Sequence, residues 1–197
     1  MENERLRKQI DFILEADKEK NIFRQTHLSG HGRRENDAEH AWHMAMMVYL
    51  LKEHANEKFD VAKAMMMALI HDIVEIDAGD TYAYDPEALE TQKLREEQAA
   101  KRIFGLLPDD QGEELKSLFE EFEAGETPEA RFVRAMDNFQ PLLLNESNNG
   151  EDWIEHGVGK NQVMNRHTRT KLGSNVIWDY AEKIIEENVK KGNIKDN

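Results

Sequence analysis

Cysteine is absent from the 197 residues. That excludes a disulfide framework, a thiolate nucleophile and any Cys-type zinc site. Positive charge is scarce: 26 Lys and Arg stand against 40 Asp and Glu, a net charge of −14. With no long basic run, neither a nucleic-acid polymer nor an anionic membrane is expected as a partner, because both need clustered Lys and Arg. No apolar run approaches the roughly 20 residues that span a bilayer. The charged start, Met1 to Lys8, has no apolar signal core behind it, so a cytoplasmic protein is expected. No Gly/Ser/Pro linker divides the sequence, and 1–197 reads as one domain with enough chain for a proper core.

What is present is helical periodicity. Leu6, Ile10, Ile13 and Leu14 give an amphipathic helix over 3–17. Residues 21–36 break the pattern with Ser29, Gly30 and Gly32 and read as an Arg- and His-rich loop. Asn36 with Glu39 is a capping-box pair that opens a core helix to about His54. Asp60 caps the next, whose segment 64–70 is apolar nearly all round and therefore central; Gly79 ends it, and a loop follows to Asp85. Pro86 starts a helix that stops at Gly105. A short helix over 111–123 follows. Thr127-Pro128-Glu129 then starts one that runs through Leu144 with a kink at Pro141. A polar loop over 145–150, a short helix over 160–170 and a last helix over 175–191 complete the chain. No run alternates with period two. The expected fold is all-α, a bundle of seven or so helices.

The densest chemistry follows the apolar run Ala64 to Ile70. His71-Asp72-Ile73-Val74-Glu75-Ile76-Asp77-Ala78-Gly79-Asp80 packs four carboxylates and an imidazole into ten residues, and buried carboxylates left unpaired are costly. A metal ion resolves this. His40, on the first turn of a core helix, adds a second imidazole. Asp137, out of place on an apolar helix, adds another carboxylate. His40, His71, Asp72 and Asp137 form a mixed N/O set suited to Mn²⁺, Co²⁺, Fe²⁺, Zn²⁺ or Ni²⁺ rather than Ca²⁺, with Mg²⁺ also open. Four protein ligands on an octahedral ion leave room for a water and a substrate oxygen. The plainer alternative is a hydrogen-bonded polar network inside a structural bundle; metal content separates the two. His43 is either a rival ligand or a residue packed behind the site. Glu75, three residues after Asp72, and Asp80, after Gly79, are placed to hold a water or move a proton. Arg24, Arg33 and Arg34 are candidates to grip an anion, since a guanidinium fork matches phosphate oxygens.

Four stretches in order carry a resemblance. They are Arg24; Glu35-Asn36-Asp37-Ala38-Glu39-His40 with Trp42; His71-Asp72-Ile73-Val74-Glu75 to Gly79-Asp80; and Arg134-Ala135-Met136-Asp137. The chain resembles the HD-domain metal-dependent phosphohydrolases, and within them the bacterial 5′-deoxynucleotidase-like branch. The resemblance implies an all-helical fold, frequent dimers, and metal ligation by His40, His71, Asp72 and Asp137. It implies catalytic roles for Glu75 and Asp80, and Arg24 on phosphate. That branch carries a Trp shortly after the Arg; here Arg24 is followed by Gln25-Thr26-His27-Leu28, which leaves the choice of ribose or deoxyribose open. Ile76 after Glu75 departs from the Glu-Asp of the alarmone hydrolases. The expectation is a metal-dependent phosphomonoesterase for a small phosphorylated metabolite, a (deoxy)nucleoside 5′-monophosphate first. The alternatives are a hydrolase of another phosphorylated small molecule and a metal-bearing binding or regulatory module.

Overall fold

The computed structural model describes residues 3–79 and 86–197, with side chains of 86–90 left aside. The expected catalytic Asp80 and the loop that runs to Asp85 lie outside the described residues. Among the described residues the chain is all-α apart from one two-stranded ribbon. In order it forms α1 Glu4–Ala16, a 3-10 turn, β1 Phe23–His27, β2 Arg34–Asn36, α2 Asp37–Leu51, α3 Val61–Ile70 and α4 Glu75–Ala78. Then come α5 Pro86–Phe104, α6 Asp109–Ala124, α7 Pro128–Ser147, α8 Glu151–His156, α9 Lys160–His167, α10 Thr170–Gly173 and α11 Asn175–Lys191. These eleven helical segments exceed the seven or so expected because α4 and α10 are single turns of four residues and α8 falls between the expected loop over 145–150 and the expected helix over 160–170.

The caps that position the site are local and follow from the sequence. Asn36 Oδ1 accepts from the Glu39 N–H at 2.9 Å and Glu39 Oε2 accepts from the Asn36 N–H at 3.1 Å, which fixes the start of α2 one turn before His40. Asp60 Oδ1 accepts from the Ala62 and Lys63 N–H groups and sets the start of α3. Thr127 caps α7 with Pro128 in its first turn. The inner layer is α2, α3 and α7, packed on one another through Met44, Val48, Ala64, Met67, Phe132 and Met136, all fully buried. Burying each of the larger of these side chains contributes about 1.5–3 kcal/mol. α10 lies directly on α7, and only glycine fits there: a Cβ at Gly173 would stand 2.3 Å from the Arg131 carbonyl oxygen.

Three elements differ from the sequence expectation. The 21–36 loop contains an antiparallel ribbon with Phe23 opposite Asn36 and His27 opposite Arg34. Its five- and three-residue strands are polar and its register shifts, so no period-two pattern marks it. α7 runs through Pro141 to Ser147, past the expected boundary at Asn145; proline costs a helix one hydrogen bond, and packing against the inner layer outweighs that here. The expected helix over 160–170 divides into α9 and α10. No described helix is long and apolar enough to cross a membrane.

Candidate functional site

Polar side chains of the three inner helices meet beside one cavity, which His71, Asp72 and Asp137 line and next to which His40 is fully buried. α2 supplies His40 from its first turn, α3 ends at His71 and passes into Asp72, and α7 supplies Asp137. Asp137 Oδ1 is 3.3 Å from His40 Nε2 and 3.9 Å from His71 Nε2. Asp72 Oδ2 is 3.0 Å from His71 Nε2 and 4.0 Å from His40 Nε2. The four groups singled out in the sequence therefore converge on one point. His40, His71 and Asp72 alone bring one ligand atom each within 4.8 Å of one another.

The other nitrogen of each imidazole is engaged behind the site. His71 Nδ1 is 2.9 Å from the Ala68 carbonyl and donates to it. His40 Nδ1 is 3.0 Å from Gln140 Oε1, an acceptor. The Nδ1 of each imidazole is thus taken up behind the site, and Nε2 is the atom that faces the carboxylates and is placed to ligate an ion. Gln140 stands one turn after Asp137, so α7 holds both nitrogens of His40. Gln140 Nε2 donates to buried Glu35 at 2.7 Å and lies 3.1 Å from His43 Nδ1. His43 is therefore a support behind the cluster and does not join it; burial lowers its pKa.

This donor set fits a divalent cation. His71 Nε2 is buried and makes no hydrogen bond of acceptable geometry, although Asp72 Oδ2 is 3.0 Å away. Burial disfavours a charge on His71, yet adjacent Asp72 outweighs it and raises the imidazole pKa to about 9. Burial also works against ionised Asp72 and Asp137. Both are nevertheless held well below the ordinary carboxylate range, Asp72 chiefly by His71 and Arg24, Asp137 by His40, His71 and Arg166. A cluster that draws a proton onto a buried imidazole is short of positive charge, and a metal ion supplies it.

The cavity above has a volume of about 550 Å³. Arg24, buried on β1, reaches its floor; its Nη1 donates to Asp72 Oδ2 at 2.6 Å and to Asp37 Oδ1 at 3.3 Å. Glu75, buried in the first turn of α4, is in the wall. Gly79 ends α4 at φ 75°, ψ 149°, a backbone conformation open to glycine and closed to most other residues. Arg33 and Arg34 do not line the cavity. Arg33 is exposed and pairs with Glu39 at 2.8 Å. The cations that do line it, besides Arg24, are Lys93, Arg134, Arg166 and Arg169. Arg134 is engaged by the carbonyls of Phe122 and Glu123. Among the described residues, the guanidinium groups of Arg166 and Arg169 make no hydrogen bond or close ion pair, although Arg166 helps hold Asp137 ionised. Neither was expected from the sequence, where Arg166-x-x-Arg169 is one basic pair among several. Nor was Gln140, whose signal is a polar side chain one turn after Asp137 on an apolar helix.

Comparison with known proteins agrees with this geometry. The family model described as HD domain matches residues 16–178. The chain is 34% identical over 155 residues to 5′-deoxynucleotidase HDDC2 of Homo sapiens, covering 79% of this chain and 73% of that protein. A solved structure from Magnetospirillum magnetotacticum MS-1, described as a "predicted metal-dependent phosphohydrolase", superposes with a TM-score of 0.92 at 46% identity, over 96% of this chain and 95% of that one. An HD-domain phosphohydrolase from Listeria innocua, 19% identical, shares the fold with a TM-score of 0.59 over 93% of this chain and 86% of that one.

Proposed function

The chain belongs to the HD-domain family, and on that premise we propose that it is a metal-dependent phosphomonoesterase of the 5′-nucleotidase type, which removes phosphate from (deoxy)nucleoside 5′-monophosphates. The observation that carries this is the convergence of two imidazole Nε2 atoms and two carboxylates beside a cavity that Arg166 and Arg169 also line. The 34% identity to human 5′-deoxynucleotidase HDDC2 supports the substrate class.

In this reading His40, His71, Asp72 and Asp137 hold a divalent ion, with Gln140 and the Ala68 carbonyl fixing the two imidazoles. When bound, the ion withdraws charge from the phosphoryl group and acidifies a water. Glu75 accepts a proton from the attacking water as its oxygen bonds to phosphorus. The P–O5′ bond breaks, its electron pair stays on O5′, and a proton from Asp80 yields the nucleoside hydroxyl. Asp80 is the second proton-handling residue of this reading. Arg24 holds Asp72 ionised and in place, and so acts on phosphate through the metal site. Arg166 and Arg169 take the direct role that the sequence gave to Arg24, Arg33 and Arg34, gripping the non-bridging phosphate oxygens.

Two consequences are measurable. A hydrogen bond to a charged group contributes about 1.5–3 kcal/mol. Arg166→Ala is therefore expected to lower kcat/KM by roughly 10- to 100-fold, mostly through KM, with metal content unchanged. An unchanged KM would remove Arg166 from the phosphate site. Gln140→Leu frees the back of His40 and is expected to weaken metal binding by about 10- to 100-fold in a metal titration; unaltered affinity would show that Gln140 does not orient the ligand.

We read 1–197 as one domain, since a single buried core joins residues from α2 through α11. A homodimer belongs to the same proposal: Trp42, Met46, Tyr49 and Leu50 form an exposed apolar strip on α2. So does a cytoplasmic location, where soluble nucleotides are available. A nucleic-acid polymer and a membrane are not partners in it. Phosphate release from a panel of ribo- and deoxyribonucleoside 5′-monophosphates and glycerol phosphate tests the substrate class. Nucleotides as the good substrates are expected; cleavage of glycerol phosphate alone would overturn the assignment.

A further inference from the structure

A second set of metal-type donors lies away from the cavity, where the ribbon meets α8. His27 Nδ1 is 2.6 Å from Asp152 Oδ1, and the His27 backbone N–H donates to Asp152 Oδ2 at 3.1 Å. The His31 ring stacks on that of His27 with centroids 4.6 Å apart. His31 Nε2 is 3.0 Å from Glu151 Oε2. One ligand atom each from His27, His31 and Asp152 falls within a 4.8 Å span. None of these residues lines the cavity of the first site.

Two features go beyond an ordinary surface ion pair. Asp152 is buried, and a buried carboxylate calls for a cation. His31 has φ +52°, a left-handed conformation uncommon for any residue but glycine. Buried Asn148 holds it there: its Oδ1 accepts from the His31 N–H at 2.7 Å, and its Nδ2 donates to the carbonyls of His27 and Leu28 at 3.3 and 3.1 Å. The turn thus places the second imidazole over the first at some cost in backbone energy.

We infer that His27, His31 and Asp152, with Glu151 beside them, form a second divalent metal site, distinct from the His40 cluster. Two imidazoles and a carboxylate without thiolate suit Zn²⁺, Ni²⁺ or Co²⁺, with solvent completing the shell on the exposed His31 side. An ion here ties the ribbon tip to α8. The same strand carries Arg24, three residues before His27, onto Asp72, so occupancy of the second site braces the strand that supports the first.

The test is calorimetric titration of the metal-free 197-residue chain with Zn²⁺ alone. His31→Asn removes one imidazole with a residue that tolerates the left-handed backbone. Asp152→Asn removes the charge while keeping an acceptor for the His27 N–H. Expected stoichiometries are two ions for the parent chain, one for either of these variants, one for Asp72→Asn, and none for Asp72→Asn combined with His31→Asn. The Asp72→Asn arm reads the second site whether or not the first is catalytic. If both His31→Asn and Asp152→Asn titrate like the parent, or if Asp72→Asn takes up no ion, the cluster is a hydrogen-bonded staple and the inference fails.

Discussion

Replacing Asp72 by Ala or Asn is expected to remove the metal from the His40 cluster and to lower phosphate release by about 10³-fold or more, since a metal at the phosphoryl group supplies several kcal/mol and each 1.36 kcal/mol is tenfold in rate. Asp72 is the side chain that ties the site together: its Oδ2 lies 3.0 Å from His71, 4.0 Å from His40 and 2.6 Å from Arg24. Its loss withdraws a ligand. It also withdraws the neighbour that does most to hold the His71 pKa up, so the loss of metal cannot be put down to a proton trapped on that imidazole. Arg24 keeps Asp37 at 3.3 Å and is not stranded without a partner. Asp72→Asn, which keeps the shape, guards against the objection that Asp72→Ala merely unfolds the inner layer. Elemental analysis and a kinetic assay on both folded variants check the result; turnover near the parental rate in either one would sink the metal-site account.

The second large effect belongs to Glu75. General-base catalysis contributes roughly 10²–10⁴-fold, and Glu75→Gln is expected to lower kcat by that factor while metal content and KM stay close to those of the parent chain. The position supports the assignment. Asp72 and Glu75 are the two ends of one turn, since the Glu75 N–H donates to the Asp72 carbonyl at 2.8 Å. The carboxylate is buried in the cavity wall and does not belong to the group of ligand atoms at its floor. The Gln variant keeps volume and one acceptor and loses only basicity. Steady-state kinetics with metal analysis on the same sample separates two roles. A fall in kcat with the ion retained is expected of a residue that handles a proton. Simultaneous loss of the ion would make Glu75 a ligand.

Much of this was legible in the sequence, for local reasons. An apolar helix that ends in His71-Asp72, a capping box one turn before His40, and Asp137 on an apolar face each show a polar group where burial demands a partner. The starts of α2, α3 and α7 could be placed because caps are written in neighbouring residues. What could not be read depends on distant parts of the chain. The β1–β2 ribbon is a few polar residues pinned by Asn148 and Asp152, more than a hundred positions away. Arg33 and Arg34 looked like an anion clamp because they precede the His40 helix, but the ribbon carries them away from the cavity, and α9 brings Arg166 to it instead. Arg24 lines the cavity, yet its contacts are with Asp72 and Asp37, which in the proposed site makes it a support for a metal ligand. Which of several arginines faces a cavity is a tertiary property, and no helical period encodes it.

The most direct measurement is phosphate release from a deoxynucleoside 5′-monophosphate by the chain stripped of metal with chelator, then reloaded with Mn²⁺, Co²⁺, Zn²⁺, Ni²⁺, Fe²⁺ or Mg²⁺ in separate samples. The account predicts no release from the stripped chain and recovery with at least one divalent ion, in proportion to occupancy of the His40, His71, Asp72 and Asp137 cluster. Release that persists undiminished after complete removal of metal would contradict it.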